Sequence, residues 1–343
     1  MKKSIFILTI LIFLPVKAHT QDFLWKAKVY SFFDNIEFGQ SDYKIPQTMS
    51  GVQAAPEIGV RFDSVHIISG GVNILREFGS NTEIDKLYPV IYYEFNKNPY
   101  RFLMGAFPRD MALDKYPRIF FQDSISYFRP NINGFFWEIL GKKGYFNLWL
   151  DWTSQISVTE RETFFAGFSG RYNAGIFYLQ HFNYMFHFAK DFDPVVEKSI
   201  YDNGLTLTSA GVDLSQFTFF DQLDINAGWL AGIERSRGDD SGWIANNGFL
   251  MEARLTYKRI GVFNTLYLGE GQMAFYAAHS NKLYWGDPVY RAGNYNRSDF
   301  YINFIKNDKV KLNLTYSLHF AEGNVYHEQL LKVQIALDNF RVK

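Results

Sequence analysis

A ten-residue stretch near the end of the chain, Lys311 to Phe320, alternates strictly between apolar and polar side chains. Successive side chains of a β-strand point to opposite faces, so this stretch predicts a strand with one apolar and one polar face. The apolar parity is Leu312, Leu314, Tyr316, Leu318 and Phe320, and the polar parity is Asn313, Thr315, Ser317 and His319. The fold class then depends on whether such apolar faces meet each other, as in a soluble sandwich, or meet lipid.

Similar alternating stretches follow one another along the chain. We count about sixteen, and fourteen stays open because strand boundaries inferred from sequence shift by ~2–4 residues. Their connections alternate in length. Short turns are predicted near Asp63, Asn98, Lys142, Asn173, Gln216, Lys258 and Asn307, and longer links near Ser41, Ser80, Thr159, Phe192, Asp239 and Gly323 and across 109–131 and 271–297. Short periplasmic turns alternating with longer extracellular loops are typical of closed antiparallel transmembrane β-barrels.

The N-terminus and the composition favour an exported membrane barrel. Residues 1–20 are predicted to be a signal peptide: Lys2 and Lys3 precede an apolar run that is shorter than the roughly 20 residues of a spanning helix. Cleavage after Ala18 and cleavage before Gln21 both fit. The remaining residues, 21–343, are predicted to form one barrel domain.

The rest of the composition narrows the class further. The chain has no Cys, which excludes a disulfide framework, and its 35 acidic and 35 basic residues give no support for a nucleic-acid partner. Aromatic residues make up 19% of the chain, which fits the aromatic girdles of membrane barrels.

With these features the chain from residue 21 onward resembles the porin-like class of Gram-negative outer-membrane β-barrels. The resemblance lies in the signal peptide, the two-faced strands and the turn–loop alternation, and it points to no particular family. It implies a location in the outer membrane, contact with outer-membrane lipid and insertion by the barrel-assembly machinery. A monomer and a trimer both fit.

The polar faces predict a passive channel for polar solutes or saccharides, without a cofactor. The residues predicted to line the pore are Glu57, Arg61, Asp151, Asp224, Glu252, Arg254, Asn313, Thr315, Lys332 and Asp338. A lumen filled by salt bridges among these residues is an open alternative. So is a non-conducting surface barrel that binds a partner or a polysaccharide through its loops. No His, Asp or Glu grouping shows metal-ligand spacing.

Two long irregular stretches are candidate binding elements. In the first, Arg109, Asp110 and Arg118 are predicted to form a constriction inside the lumen, with an ordinary surface loop as the alternative. In the second, Trp285, Tyr290 and Arg291 combine aromatic faces with a hydrogen-bond donor, as a saccharide site does. Aromatic packing at the rim of the barrel is the alternative.

An enzyme is not expected from these patterns. His279 and Ser280 share residue types with the barrel lipases, in which His activates a Ser nucleophile. In that family the two residues are two positions apart on one strand face, whereas adjacent residues point in opposite directions. A barrel lipid hydrolase is therefore only a remote alternative.

Overall fold

The computed structural model describes residues 21–189, 199–238 and 242–340, so the predicted signal peptide lies outside the described residues. The described chain contains sixteen β-strands and a few short helical turns. The strands are β1 (Asp22–Glu37), β2 (Gln47–Phe62), β3 (His66–Glu77), β4 (Lys86–Lys97), β5 (Tyr100–Pro108), β6 (Asn131–Gly141), β7 (Gly144–Ser154), β8 (Thr163–Ala174), β9 (Phe177–Phe188), β10 (Tyr201–Asp213), β11 (Gln222–Ser236), β12 (Ile244–Tyr257), β13 (Ile260–Gly269), β14 (Asn294–Lys306), β15 (Val310–Ala321) and β16 (Asn324–Asp338).

The strands close into one antiparallel barrel. Each strand pairs with its sequence neighbours, and β1 completes the ring by pairing with β16, where Val29 lies opposite Ile335. Closure leaves no sheet edge, which is what a spanning sheet requires because lipid offers no hydrogen bonds to the backbone. The predicted barrel class and the count of sixteen strands are confirmed. Among the described residues, no helix is long and apolar enough to cross a bilayer.

Strand β15 shows the two-faced pattern directly. Leu314, Tyr316 and Phe320 are about two-fifths exposed on the outer surface of the barrel. Ser317 and His319 are completely buried on the inner face. The strict alternation in the sequence therefore assigned the faces of this strand correctly, with the apolar parity toward lipid and the polar parity toward the lumen.

The connections separate the two ends of the barrel. The end with the short turns and both described chain ends is called the inner rim, and the end with the long connections is called the outer rim. Two predicted connection lengths are wrong. The link near Gln216 runs over 214–221 and includes a short 3₁₀ helix at Ser215–Phe217. The link near Gly323 is a tight turn, in which Glu322 and Gly323 both have positive φ.

The two longest connections at the outer rim fold into the lumen. The first, residues 109–130, carries the short helix α1 (Asp123–Phe128), and the second, residues 270–293, carries the single turn α2 (Tyr276–His279). They are joined by backbone hydrogen bonds from Gln122 to Trp285 (2.8 Å) and from Asp287 to Arg118 (2.9 Å). Buried aromatic rings of the two connections pack with buried rings of the barrel wall. The connections contribute Phe120, Trp285 and Tyr290, and the wall contributes Trp149, Phe165 and Phe186. Many of the aromatic residues thus fill the lumen instead of forming a girdle at the membrane surface.

Candidate functional site

A network of buried ion pairs occupies the middle of the lumen. This lumenal charge cluster joins four basic side chains to four acidic ones: Lys44, Arg118, Arg297 and Lys332 with Asp123, Asp287, Asp299 and Glu328. His319 adds a contact to Glu328, at 3.1 Å between Nε2 and Oε2. Ion selectivity comes from rings of a single charge sign, and this cluster, with four acidic and four basic side chains, is not such a ring.

Asp123 is the residue at which α1 is tied to the barrel wall. Its carboxylate accepts hydrogen bonds from Arg118 on its own loop and from Lys332 on β16, both at 2.8 Å. Burial alone would raise the pKa of Asp123, but the surrounding Arg118, Lys332 and Arg297 hold it well below the usual range. The carboxylate therefore stays ionised, and its ion pair with Lys332 holds the loop against the barrel wall.

The inward loops divide the lumen into two cavities. The cavity toward the inner rim has a volume of about 830 Å³ and is lined by Lys28, Glu252, Arg254, Lys332 and Gln334, among others. The cavity toward the outer rim has a volume of about 590 Å³ and is lined by Asp42, Lys44, Ser280 and Arg291, among others. Gln122 and Asp123 line both cavities. Helix α1 therefore lies at the boundary between them.

The structure places the ten predicted pore-lining residues in four settings, of which three lie inside the barrel. Glu57, Glu252, Arg254 and Lys332 line the cavity toward the inner rim. Asp151 and Asp224 are inside the barrel but already paired, with Arg109 Nη2 at 2.6 Å and the Tyr178 hydroxyl at 2.7 Å. Asn313 and Thr315 bond to each other at 2.9 Å.

Two of the predicted pore residues lie at the inner rim. Arg61 binds the carbonyl oxygen of Phe340, and Asp338 accepts from the Phe340 amide at 3.2 Å. Both therefore hold the end of the described chain. Their role as pore residues stays a prediction.

The first inward loop lies inside the lumen, and a constriction there stays a prediction. Arg109 is buried and paired with Asp151, Asp110 pairs with Lys28, and Arg118 bridges Asp123 and Asp299. All three predicted loop residues are thus held by ion pairs to residues inside the barrel or on the loop. Whether solutes pass them stays a prediction.

The predicted saccharide residues lie in the second inward loop. Trp285 is only 5% exposed and packs edge-on against Phe165, with ring centroids 4.8 Å apart. Tyr290 is 2% exposed and packs against Tyr267. Arg291 lines the outer cavity. The two aromatic faces are occupied by protein packing, so saccharide contact stays a prediction that would require the loop to move.

Neither His279 with Ser280 nor Ser317 with His319 is arranged for nucleophilic catalysis. His279 packs against the ring of Tyr201, with centroids 4.2 Å apart, while Ser280 lines the outer cavity. Ser317 and His319 on β15 do have the two-residue spacing, but both face the filled lumen. The Ser317 hydroxyl donates to Asp299 at 2.6 Å, and His319 Nδ1 bonds to the hydroxyl of Tyr295 at 2.8 Å.

A polar patch interrupts the apolar outer surface near the outer rim. Its residues come from β1, β2, β15 and β16 and are Asn35, Glu37, Thr48, Tyr316, His327 and Gln329, which we call the outer polar patch. Strand register puts four of them in one row, because Tyr316 lies opposite Gln329, Gln329 opposite Asn35, and Asn35 opposite Thr48. Glu37 and His327 are opposite each other in the next row toward the rim.

Hydrogen bonds within this patch form two groups, one around Asn35 and one between Tyr316 and His327. Asn35 donates from Nδ2 to Glu37 (2.8 Å) and to the Gln329 side-chain oxygen (2.6 Å), and its own oxygen accepts from the Thr48 hydroxyl (2.8 Å). His327 Nδ1 bonds to the Tyr316 hydroxyl at 2.7 Å. An unpaired polar group facing hydrocarbon would be costly, so these bonds allow a polar patch to persist on the membrane face. No motif in the sequence predicted this patch.

The fold is similar to that of solved porins. An outer-membrane protein OmpT of Vibrio cholerae with its loop L8 deleted matches with a TM-score of 0.57 at 8% identity, over 92% of this chain and 99% of that one. An anion-selective porin from Comamonas acidovorans matches with a TM-score of 0.56 at 8% identity, over 93% and 99%. OprB of Pseudomonas putida matches with a TM-score of 0.52 at 9% identity, over 92% and 94%. No curated protein matches the chain.

These features define a porin-like outer-membrane β-barrel of Gram-negative type, so the predicted class and location are confirmed. Within that class, the model of the lipid A 3'-O-deacylase-type family matches residues 16–337. The chain belongs to this family.

The family corrects one expectation from the sequence. The prediction that the chain is not an enzyme is wrong, because the matching family is named for an enzyme activity. The sequence contains no motif that predicts the activity, because His279 and Ser280 are adjacent and adjacent residues of a strand point to opposite faces.

Proposed function

We propose that this barrel hydrolyses the ester that holds the 3'-O-linked acyl chain of lipid A, and that the outer polar patch is the site. The observation that carries the proposal is a patch of polar side chains on the lipid-facing surface, in which a His and a carboxylate each have a hydrogen-bond partner, in a chain of a deacylase-type family. Lipid A is a lipid of the outer leaflet, and the patch lies near the outer rim. Its ester could therefore reach the patch from within the membrane.

His327 is the proposed general base. The Tyr316 hydroxyl holds its Nδ1 at 2.7 Å, which leaves Nε2 to take a proton from water. Glu37 occupies the directly opposite position on β1, and side chains opposed in this way have Cβ atoms about 4.5–5.5 Å apart. Its carboxylate would stabilise the imidazolium that forms.

The reaction is an ordinary ester hydrolysis. The water oxygen forms a bond to the acyl carbon, the bond from that carbon to the sugar oxygen breaks, and the proton held by His327 passes to the sugar oxygen. The products are a free fatty acid and a sugar hydroxyl. The side-chain NH₂ of Gln329 makes no hydrogen bond within the described part of the chain, so it can donate to the oxygen that gains negative charge.

The test is a direct assay. The refolded barrel, in micelles containing purified lipid A, should release one fatty acid per lipid and lower the lipid mass by that acyl chain. Mass spectrometry of the lipid, with fragmentation to locate the lost chain, measures both. An unchanged lipid A mass with correctly folded protein would contradict the proposal.

A second candidate function is solute passage, and the two lumenal cavities favour it. They lie on either side of α1 and share Gln122 and Asp123 as lining residues. Displacement of the first inward loop would join them. Conduction is thus proposed to depend on the ion pairs that pin Asp123.

Replacing Asp123 with asparagine should raise the single-channel conductance several-fold and shift it toward anions. The substitution leaves Arg118 and Lys332 without their shared anion, so their repulsion should loosen α1, and cations lining a pore favour anions. Planar-bilayer recording measures both quantities. Asp42→Asn is the matched control, because Asp42 is an exposed acid on the outer cavity. Equal conductance in the wild type and both variants would show that these ion pairs do not gate a path.

A further inference from the structure

A second feature of the outer surface lies at the opposite end of the barrel, on strands β7 to β9. A groove of about 850 Å³ opens toward lipid between the β6–β7 turn and the middle of β9. Its walls are mainly apolar and include Phe146, Phe168, Tyr172 and Leu179, each two-fifths or more exposed. It is distinct from the outer polar patch, and we call it the inner-rim groove.

The floor of this groove lies over a glycine, which has no side chain to fill it. Gly170 occupies a lipid-facing position on β8, between Phe168 and Tyr172 along the strand. Its cross-strand neighbours are Phe146 on β7 and His181 on β9. The aromatic rings thus surround a position with no side chain. From Phe168 to Tyr172 this notch extends four residues, or about 13 Å at the usual rise of a strand.

Two lysines stand at the open end of the groove. Lys142 and Lys143 form the β6–β7 turn, and both are exposed. Asn173 fixes the turn through two hydrogen bonds to the Lys143 carbonyl oxygen, one of them from its backbone amide at 2.6 Å. The ammonium of Lys143 lies 5.9 Å from the centroid of the Tyr172 ring. Within the described residues, neither lysine has an acidic partner.

His181 supplies a polar group deeper in the groove. Its ring stacks on Phe168, with centroids 5.0 Å apart, and its Nδ1 bonds to the Thr208 hydroxyl at 2.8 Å. Its Nε2 is buried and has no hydrogen-bond partner among the described residues. This nitrogen therefore lacks the partner that a buried polar atom requires.

We propose that the inner-rim groove binds one phospholipid with a net negative head group. The phosphate lies against Lys142 and Lys143, where basic residues at a membrane surface attract anionic lipids. One acyl chain fills the notch over Gly170, and an ester carbonyl oxygen accepts a hydrogen bond from His181 Nε2. The charge of the two lysines, the shape of the notch and the unpaired nitrogen of His181 all fit an anionic phospholipid. The site faces the inner leaflet, so it is separate from the proposed lipid A site.

The test is lipid binding to the full-length barrel refolded in detergent without lipid. Native mass spectrometry during titration with dioleoylphosphatidylglycerol should show one tightly bound lipid, held several-fold more strongly than dioleoylphosphatidylcholine. Replacing Lys142 or Lys143 with alanine should weaken phosphatidylglycerol binding about fivefold for each lysine removed. Lys258→Ala is the matched control, because Lys258 and Arg259 form another dibasic turn at the inner rim, where Asp221 accepts from the Lys258 amide.

Variants that fill the notch with a side chain distinguish binding at this site from nonspecific contact with the surrounding lipid. Gly170→Leu should abolish the tight site, although an added Cβ would lie 3.1 Å from the Tyr145 carbonyl oxygen and requires a small shift. Leu179→Trp fills the same space from an exposed position on the facing wall and keeps the test valid if the first variant folds poorly. Equal binding of the two lipids, or wild-type binding by both filled variants, would mean annular contact only and would overturn the proposal.

Discussion

Replacing His327 with alanine is expected to lower the rate of lipid A deacylation by about 10²–10⁴-fold, the usual contribution of a positioned general base. The variant removes the imidazole that would take the proton from water, while the strand pairing of β16 with β1 and β15 involves only the backbone. His327 is partly exposed on the outer surface, so its loss leaves no cavity in the filled lumen. Release of fatty acid over time, measured on folded protein, gives the rate.

The barrel contains a close control for this change. His66, on the lipid-facing surface at the inner rim, also bonds through Nδ1 to a tyrosine hydroxyl, that of Tyr93, at 2.7 Å. His66→Ala removes the same interaction from the other leaflet and should leave deacylation unchanged. If both variants keep wild-type activity, the outer polar patch is not the site, even though the barrel is an enzyme. If both folded variants lose activity equally, the loss is not specific to the outer polar patch, and the assignment of His327 as the general base is contradicted.

The fold could be predicted from sequence because its strongest signal is local. The period of two in β15 assigns its faces without any knowledge of its neighbours, and closure follows once those faces meet lipid. The filled lumen could not be predicted in this way. It depends on contacts such as that of Arg118 with Asp299, which are 181 residues apart, and residue spacing along the chain does not encode such a pairing.

The outer polar patch was missed for a related reason, although part of its signal was present. On the lipid-facing parity of β16, Leu331, Val333 and Ile335 are apolar, while His327 and Gln329 on the same parity are polar. That change along one face was visible in the sequence. What was not visible is that Asn35, 294 residues before Gln329, completes the patch, because only barrel closure brings β1 next to β16.

Replacing Leu314 with arginine is expected to reduce the free energy of unfolding in a bilayer by about 2–4 kcal/mol, the cost of a charged side chain near the midplane on the lipid face of a barrel. Leu314 is 39% exposed, lies near the middle of β15, and is paired with Ile302 and Leu331 on the adjoining strands. The apolar surroundings offer no anion to the guanidinium. Denaturant titration of the barrel refolded into vesicles measures the loss.

The matched control places an arginine on the lumenal face of the barrel instead of on the lipid face. Gln334 on β16 lines the cavity of about 830 Å³, where an arginine can meet water. Gln334→Arg should therefore change the free energy of unfolding by no more than about 0.5 kcal/mol, as substitutions away from packed contacts usually do. Equal losses for the two variants would contradict the assignment of faces from which the proposed lipid A site follows, because Leu314 and the outer polar patch share the lipid-facing surface. A loss confined to Leu314→Arg would support a lipid-facing outward parity of β15, the parity that also carries Tyr316 of the outer polar patch.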